Sequence, residues 1–252
     1  MWVSTPHKYG ILGSRKGSQS MTHLTGDERA HYVQDMFARI ASRYDLMNRL
    51  MTAGQDVRWR REVIHRAALP GRGRLLDLGA GTGDLGREAL RQAPDCLPVA
   101  SDFTLEMMLV GKRRPAERLE WAAADALSLP FPSGCFDAVV SGFLLRNVSD
   151  IHRSLREQYR VLKPGGRILV LDTTRPLPNV FTPLINLHLH KVIPALGRLI
   201  AGDAEAYRYL PDSTESFLSG ESLAERMRAA GFREVGFHRR MLGTVAIHWG
   251  MK

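Results

Sequence analysis

The chain has 252 residues, of which 44% are hydrophobic and 24% charged, an ordinary globular composition with enough apolar residues for a buried core. Its net charge of +9 favours an anionic partner, either nucleic acid or an acidic membrane surface. The basic residues are scattered, so a solvated surface explains them equally well. Two cysteines, Cys96 and Cys135, exclude a disulfide framework and a cysteine-rich metal site, which indicates a reducing cytosol.

The first 70 residues divide into a tail and a helical region. Residues 1–30 lack apolar periodicity and are predicted to be a disordered tail. Apolar residues then recur at helical spacing within 31–41 and again within 57–68, which predicts two helices separated by a segment of mixed polarity. We expect residues 31–70 to form a lid over the ligand site that follows. No signal peptide and no membrane-spanning run is recognised.

The segment Arg74–Leu85, RLLDLGAGTGDL, predicts a buried strand, a glycine turn and a helix N-terminus. Glycine allows positive φ and close approach of a ligand to the backbone, and the helix N-terminus attracts an anionic group. Asp77, at the end of the strand, would face a cationic group. The spacing D-x-G-x-G-x-G resembles the first motif of class I methyltransferases, which bind the ammonium, carboxylate and ribose of S-adenosylmethionine there. The motif consists of Asp77, Gly79, Gly81 and Gly83.

Two acidic residues end the next two predicted strands. Residues 97–101 form a strand ending at Asp102, whose carboxylate is placed to bind a ribose diol. Residues 119–124 form a third strand, ending at Asp125–Ala126. Because ligands of open α/β sheets bind at the carboxyl ends of parallel strands, these residues are expected to lie beside the same ligand as the glycine turn.

The rest of the chain continues the alternation. The sequence predicts a fourth, apolar strand within 131–145 and then a helix from 151 that is capped by Ser149 or Asp150. A fifth strand follows the KPGG turn at 163–166. Residues 233–238 and 244–249 predict a closing β-hairpin. The predicted fold is therefore α/β: a Rossmann-like, doubly wound, mostly parallel sheet with a C-terminal antiparallel hairpin and an N-terminal helical lid, as in class I methyltransferases.

Residues 175–202 interrupt this rhythm with an apolar, partly helical segment that carries four prolines and the cationic or titratable side chains His188, His190 and Lys191. One interpretation is an amphipathic insertion, extending to about residue 215, over the active site or against lipid. Simple packing into the core explains it equally well.

Four further segments occur in the order found in one enzyme family. They read FARIASRYDLMN at 37–48, FLLRNV at 143–148, GDAEAYRYL at 202–210 and GTVAIHWGMK at 243–252. The chain resembles the UbiE/MenG/COQ5 family of S-adenosylmethionine-dependent C-methyltransferases, which act on quinol precursors of menaquinone and ubiquinone. The resemblance implies methylation of a prenylated quinol, with demethylmenaquinol as first candidate and 2-methoxy-6-polyprenyl-1,4-benzoquinol as alternative.

The resemblance also implies roles for individual residues. It assigns cofactor contacts to Thr82, Asp102, Asp125, Ala126 and Ser141, the last at a position where the family's serine aligns with Gly142. Tyr44 becomes the lid residue over the cofactor, and Arg146 with Asn147 would face the quinol. Departures from the family pattern fall on the lid and substrate side, at Arg49, Asp56, Thr214 and Leu218.

The expected chemistry is attack of a quinolate carbon on the sulfonium methyl group. Arg146 is a poor base because its pKa is too high, but it could stabilise the phenolate or orient a water molecule. His188 or His190 could accept the proton, although a histidine in a helical insertion is more often structural. No metal site is expected.

Two rival functions remain open from the sequence. A nucleic-acid methyltransferase would suit the basic charge, but LLRN stands after the fourth strand instead of an N-P-P-[YF]-like segment, and Cys135 precedes that strand. A non-catalytic binding module is disfavoured by the intact acidic and glycine positions. We therefore expect no nucleic-acid partner, a cytoplasmic enzyme in peripheral contact with anionic membrane, and leave a homodimer open.

Overall fold

The computed structural model describes residues 26–115, 118–176, 180–201, 207 and 213–252. Three helices precede the sheet: α1 (Gly26–Ile40), α2 (Tyr44–Met51) and α3 (Gln55–Ala67), with a 3-10 turn at Ala41–Arg43. α1 begins inside the segment predicted to be a tail, and the mixed-polarity segment contains a helix of its own. The first turn of α1 is polar, and the buried face of α2 includes the polar Asn48, so neither segment has a continuous apolar pattern.

Seven strands form one sheet in the order β3-β2-β1-β4-β5-β7-β6. The parallel strands are β1 (Arg74–Leu78), β2 (Leu97–Asp102), β3 (Glu120–Ala123), β4 (Phe136–Gly142) and β5 (Leu162–Thr173), and β7 (Val245–Met251) pairs antiparallel with both β5 and β6 (Arg233–Arg240). The predicted doubly wound sheet with a C-terminal hairpin is confirmed. Strand order reverses between β1 and β4, which is where such sheets bind ligands.

Helices cover both faces of the sheet. α3 and α4 (Asp84–Gln92) pack on one face, where Trp59, Val63 and Ala89 join the buried strand residues. α6 (Ile151–Val161) and α9 (Gly220–Ala229) cover the other face through Leu155 and Leu223, while α5 (Leu105–Lys112) lies beside β2. Coverage on both faces explains why β4 and β5 are almost continuously apolar. Because α3 packs on the sheet, the lid over the ligand site consists of α1 and α2.

The insertion forms a third apolar cluster above the carboxyl ends of the strands. It contains α7 (Thr182–Leu187) and α8 (Ile193–Leu196), with π-helical stretches at His188–Val192 and Gly197–Ala201. Its buried side chains Ile185, Leu189 and Ile193 pack against Val33, Met36, Met47 and Met51 of α1 and α2. The insertion therefore roofs the ligand edge of the sheet and does not extend the sheet core.

Local details follow the sequence. Asp150 caps α6 by accepting a hydrogen bond from the Arg153 N–H at 2.9 Å, and Gly165 in the KPGG segment has φ +76°, as a type II turn requires. The KPGG segment lies within β5 as an irregularity in its pairing with β4. The family segment at 202–210 lies outside the described residues, apart from Tyr207. Within the described ranges, no helix is long and apolar enough to cross a bilayer.

Candidate active site

An open cleft of about 1090 Å³ runs along the carboxyl ends of β1, β2 and β4. Gly79, Gly81, Asp102 and Ala126 line it from the sheet side. Helix α1 lines the other side through Val33, Gln34 and Phe37, and Gln34 donates a hydrogen bond to the Phe103 carbonyl at 3.2 Å. The first lid helix thus closes directly over the edge predicted to bind the cofactor.

The turn requires glycine at two positions, because a side chain would be strained and would not fit there. Gly81 and Gly83 both have positive φ, at +57° and +84°. A Cβ atom on Gly83 would lie 2.8 Å from the Trp121 ring, and one on Gly81 would lie 3.1 Å from the Met107 methyl group. The missing side chain of Gly83 therefore leaves room for the Trp121 ring, while Gly81 lines the cleft with bare backbone, and the turn leads directly into the N-terminus of α4.

Asp102 is held rigidly at the end of β2. Its carboxylate accepts hydrogen bonds from the Gly81 and Thr104 backbone N–H groups, both at 2.7 Å. Burial raises the pKa of Asp102, while these N–H groups oppose the rise. Further along the cleft, Asp125 accepts a hydrogen bond from the Leu127 N–H at 2.8 Å. Both predicted carboxylates thus line one cleft in fixed orientations.

A smaller compartment of about 390 Å³ continues from the cleft behind the glycine turn. Asp77 lines it and is 1% exposed; one carboxylate oxygen accepts a hydrogen bond from the Gly86 N–H at 2.9 Å. The other oxygen has no partner among the described residues. Burial, reinforced by the carboxylates of Asp84 and Asp102, raises the pKa of Asp77 to about 7. The sequence predicts that Asp77 faces an ammonium group, and this oxygen is the one left to accept a hydrogen bond from it.

The lid is tied to the glycine turn by polar contacts. The Thr82 hydroxyl donates a hydrogen bond to Asp45 of α2 at 2.7 Å. Arg114 bridges Asp45 and Asp84, with Nη1 2.7 Å and 3.0 Å from their carboxylate oxygens. Thr82 is therefore a lid contact in this structure, and its hydroxyl is engaged by the protein itself.

A third pocket of about 510 Å³ lies on the other side of Phe143. Most of its lining is apolar, including Met51, Leu189, Ile193 and Met241, and its polar side chains include Asn48, Arg146 and His188. Phe143 lines all three spaces, and its backbone adopts a positive φ of +60°. Phe143 therefore holds an uncommon backbone conformation at the boundary between the third pocket and the other two spaces.

Arg146 lies in a 3-10 turn, Leu145–Asn147, directly after β4 and is 7% exposed. Its Nε is 3.7 Å from a carboxylate oxygen of Asp172, and its Nη1 is 3.5 Å from the Ser213 hydroxyl. Burial raises the pKa of Asp172 to about 6, and the Arg146 guanidinium opposes the rise. Arg146 therefore has a buried carboxylate partner and also lines the third pocket.

Tyr44 and Asn147 occupy the boundary between the pockets. Tyr44 lines the cleft and the compartment; burial raises the pKa of its phenol, and the neighbouring Asn48 side chain and Arg146 charge oppose the rise. Asn147 donates a hydrogen bond to the Phe143 carbonyl at 2.9 Å and lines the cofactor cleft. Asn147 was predicted to face the quinol, whereas its side chain supports the turn on the cofactor side.

Two other predicted residues lie away from the site. Ser141 is fully buried within β4 and does not line any of the three spaces; Gly142, the next residue, lines the cleft and the compartment. His190 points outwards, 44% exposed, and contacts Glu215 at 2.8 Å. His188 does line the acceptor pocket, and its Nε2 lies 3.0 Å from the Met51 carbonyl. Nε2 must donate to that carbonyl, so Nδ1 is the nitrogen able to accept a proton.

Several site residues carried no signal that sequence reasoning used. Arg60 lines the compartment, Asp172 pairs with Arg146, and Asn48 lies in the acceptor pocket. Arg60 belongs to RWRR at 58–61, one of the scattered basic segments for which an anionic partner and a solvated surface are equally consistent with the sequence. Asp56, noted only as a departure from the family pattern, is its buried ion-pair partner.

The donor set suits S-adenosylmethionine. The unpartnered Asp77 oxygen matches an ammonium, Asp102 a ribose diol, and the side-chain-free glycine turn a ligand lying against the backbone. Among the described residues, no group of three or more histidine, cysteine, aspartate or glutamate side chains is placed to bind a metal.

The sheet order, the switch point between β1 and β4 and this cleft define a class I S-adenosylmethionine-dependent methyltransferase. A solved structure with the same fold is a possible histamine N-methyltransferase from Thermotoga maritima, with a TM-score of 0.62, 20% identity, and coverage of 87% of this chain and 99% of that one.

The chain belongs to the ubiE/COQ5 methyltransferase family, whose profile matches residues 23–252, and is an S-adenosylmethionine-dependent C-methyltransferase. It is 48% identical to the ubiquinone/menaquinone biosynthesis C-methyltransferase UbiE of Desulfotalea psychrophila, over 87% of this chain and 90% of that one. It is 43% identical to the demethylmenaquinone methyltransferase of Roseiflexus castenholzii, over 90% and 95% of the two chains. The family resemblance seen in the sequence is confirmed.

Proposed function

We propose that the chain methylates a ring carbon of a prenylated quinol, with demethylmenaquinol as first candidate and 2-methoxy-6-polyprenyl-1,4-benzoquinol as alternative. One observation carries this proposal: a pocket whose exposed surface is largely apolar adjoins the cofactor compartment at Phe143, and Arg146 and His188 are among the polar residues that line it. A flat aromatic diol with an apolar tail matches such a lining. The names of the Desulfotalea and Roseiflexus relatives, a ubiquinone/menaquinone biosynthesis C-methyltransferase and a demethylmenaquinone methyltransferase, agree with quinone chemistry.

In this mechanism the bound cofactor supplies a sulfonium methyl group. Loss of a proton from one quinol hydroxyl loads electron density onto the adjacent ring carbon. That carbon forms the new C–C bond as the S–C bond breaks, so the phenolate and sulfonium charges cancel, which a dry, apolar pocket favours. The ring carbon then loses its proton, the oxygen is reprotonated, and one proton is released overall.

The residues of this chain have distinct roles in that sequence. Arg146 donates hydrogen bonds to the phenolate oxygen and offsets its negative charge. Asp172 orients Arg146 through an ion pair in which a carboxylate oxygen lies 3.7 Å from Nε of the guanidinium. His188 Nδ1 accepts the hydroxyl proton, and Tyr44 with Phe143 aligns the two reactants, which can contribute several kcal/mol by fixing a near-attack geometry. Asp77, Asp102, Asp125 and the glycine turn hold the cofactor.

The enzyme is also proposed to contact the cytoplasmic face of an anionic membrane, from which a prenylated quinol would enter. The insertion exposes large apolar side chains next to basic ones. The apolar residues are Val180, Phe181, Leu184, Leu187 and Leu199, and Lys191 and Arg198 lie among them on the surface. An apolar surface with interspersed basic side chains suits the interface of an anionic bilayer.

Radiolabelled methyl transfer to demethylmenaquinol, the benzoquinol precursor and RNA, measured in parallel with one enzyme preparation, tests the proposal. We expect label in the naphthoquinol product, with the benzoquinol as the second-best acceptor and none in RNA. Labelled RNA with unlabelled quinols would overturn it. A homodimer stays a prediction, which sedimentation equilibrium of the purified enzyme would test.

A further inference from the structure

The compartment behind the glycine turn is lined by three carboxylates, Asp45, Asp77 and Asp84, and by one guanidinium, Arg60. Arg114, which is outside this lining, pairs with Asp45 and Asp84. The methionine end of the cofactor carries both an ammonium and a carboxylate. Asp77 accounts for the ammonium, and a carboxylate entering beside these acidic side chains requires a cation that lines the space, which is Arg60.

Arg60 is built into this compartment. It lies on α3, one turn after Asp56, and its side chain is only 11% exposed. Its Nη1 contacts the Asp56 carboxylate, and its Nη2 lies 3.5 Å from the Asp84 carboxylate, which is longer than a good charge-assisted hydrogen bond. The planar guanidinium has five N–H donors, so it retains capacity to bind an anion in the compartment.

Asp56 fixes the orientation of this guanidinium. Asp56 is 1% exposed and also contacts Nε of Arg49 at 3.1 Å and the Thr52 hydroxyl at 3.2 Å. Burial alone would lower the pKa of Arg60, but the Asp84 and Asp56 charges outweigh it and raise the pKa, so the side chain stays cationic. A cation held on one side by a buried carboxylate is pre-organised to bind a second carboxylate on its open side.

We propose that Arg60 binds the carboxylate of the methyl donor and that Asp56 is the positioning residue for Arg60. This role depends on the use of S-adenosylmethionine and is independent of the identity of the acceptor. It divides the methionine end between two elements, with the ammonium on β1 through Asp77 and the carboxylate on α3 through Arg60. The cofactor would thereby join the sheet to the helix that leads into the lid.

A comparison of two ligands isolates the carboxylate. Calorimetry is carried out with S-adenosylhomocysteine and with its decarboxylated analogue, which keeps the amino group, on the wild type and on Arg60→Gln. For the wild type we expect S-adenosylhomocysteine to bind about 10- to 100-fold more tightly, the scale of a hydrogen bond to a charged group. For Arg60→Gln that preference should largely disappear, while the analogue binds as well as before or better, because it is a cation entering an acidic compartment.

Arg61→Gln is the matched control, since Arg61 is an exposed arginine on the same helix; it should keep the wild-type preference. Asp56→Asn should reduce the preference only partly, about fivefold, because the guanidinium remains but is less well oriented. If thermal unfolding shows that Arg60→Gln is not folded, the ligand preference of Arg60→Lys is compared with that of the wild type instead. Arg60→Lys is expected to keep part of the preference for S-adenosylhomocysteine.

Three outcomes would overturn the role of Arg60. The wild type could bind both ligands equally, Arg60→Gln could retain the full preference, which would assign the carboxylate to the N-terminus of α4, or Arg60→Gln could lose both ligands to the same extent. Failure of the wild type to bind either ligand would instead contradict the cofactor assignment itself, so the two failures are distinguishable.

Discussion

The cofactor half and the acceptor half of this site are built in different ways. The cofactor half uses main chain and short side chains at the ends of adjacent strands, with Gly81 and Asp102 held by backbone hydrogen bonds. The acceptor half is assembled from distant segments: α2, the turn after β4, the insertion and the loop before β7 all contribute to its lining. Phe143 is the wall between them.

The difference teaches which half is fixed by the sheet and which depends on side-chain packing. Strand ends in a parallel sheet are fixed by a ladder of hydrogen bonds and can present a ligand site in only one place. A pocket roofed by helical segments packed on one another has no such constraint, so its shape depends on side-chain volumes. Two departures from the family pattern fall on the second kind of element, Arg49 on α2 and Thr214 in the third pocket, whereas Asp56 lies on α3 beside the compartment and Leu218 packs against the sheet core.

Substitution of Arg146 is expected to have the largest effect and to change the acceptor half without changing the cofactor half. Arg146→Gln should lower kcat by about 10²-fold or more, because a cationic donor to the phenolate is lost. The cofactor Kd should stay nearly unchanged, since the interaction belongs to the acceptor. Single-turnover methyl transfer and calorimetry on the same preparation check both quantities.

Stability must be measured alongside, because Arg146 is also the partner of buried Asp172. Removing one member of a buried pair typically costs about 3–5 kcal/mol. Here the pKa of Asp172 is already about 6, so the carboxyl can take up a proton and limit the loss. Arg146→Lys should restore part of kcat, as it keeps the charge but loses the planar fork. A folded and fully active Gln variant would make Arg146 structural, and His188 would then be the next residue to test.

Asp102 should affect only the cofactor half. Asp102→Ala removes the carboxylate proposed to bind the ribose diol and should weaken cofactor binding by about 1.5–3 kcal/mol, the range for hydrogen bonds to charged groups. Acceptor KM should change little once the cofactor is saturating. Unchanged cofactor affinity in a folded variant, measured by calorimetry, would remove Asp102 from the binding site.

Asp77 makes cofactor binding depend on pH. Its pKa is about 7 in the free enzyme and should fall when an ammonium lies beside it, so binding near and below pH 7 should release a proton. Affinity should therefore fall as the pH falls below 7, by up to about tenfold per unit. Calorimetry of S-adenosylhomocysteine in two buffers of different ionisation enthalpy measures the release. Asp77→Asn should abolish it, and equal heats for the wild type in both buffers would contradict the assignment.

The sign of the same shift sets its effect on folding. The pKa of Asp77 is higher in the folded protein than the value of about 4 in an unfolded chain. Its contribution to stability is therefore present below pH 4 and is lost as the pH rises through 7.

The strand ends were predictable because apolar runs and acidic residues alternate along the chain, which is why Asp77, Asp102 and Asp125 emerged together. The sequence did not predict which individual residue at a strand end or in a helix lines the site. Neighbouring residues in a strand point to opposite faces, so whether Ser141 or Gly142 meets the cleft depends on a register that no composition reveals. Likewise, residues two apart on a helix do not share a face, so His188 and His190 could not both line the pocket.

Arg60 shows a second limit of the sequence. The i, i+4 spacing of Asp56 and Arg60 is visible in the sequence, but it does not show that the pair is buried. The basic run RWRR divides accordingly: Arg60 faces the compartment, while Arg58 and Arg61 are exposed. Burial of Arg60 depends on the strand ends and on Asp84, which are distant from α3 in the chain.

The smallest expected effect concerns the outer surface of the acceptor half. Lys191 lies exposed among the apolar side chains of the insertion, and Lys191→Gln should weaken binding to anionic vesicles by about fivefold, since a basic residue near an anionic surface contributes about 1 kcal/mol. Vesicle sedimentation at low salt measures the effect, and raising the salt concentration should reduce binding of both proteins because the interaction is electrostatic.

The control for this experiment is Arg72→Gln, which removes the same charge at the opposite edge of the sheet, directly before β1. If attraction came only from the net charge of +9, both substitutions would weaken binding equally. If the insertion is the contact surface, only Lys191→Gln should do so, and Leu184→Ser should weaken the salt-resistant part that remains. If the wild-type protein stays in the supernatant at low salt, the proposal of membrane contact is wrong. The quinol would then have to reach Arg146 from solution.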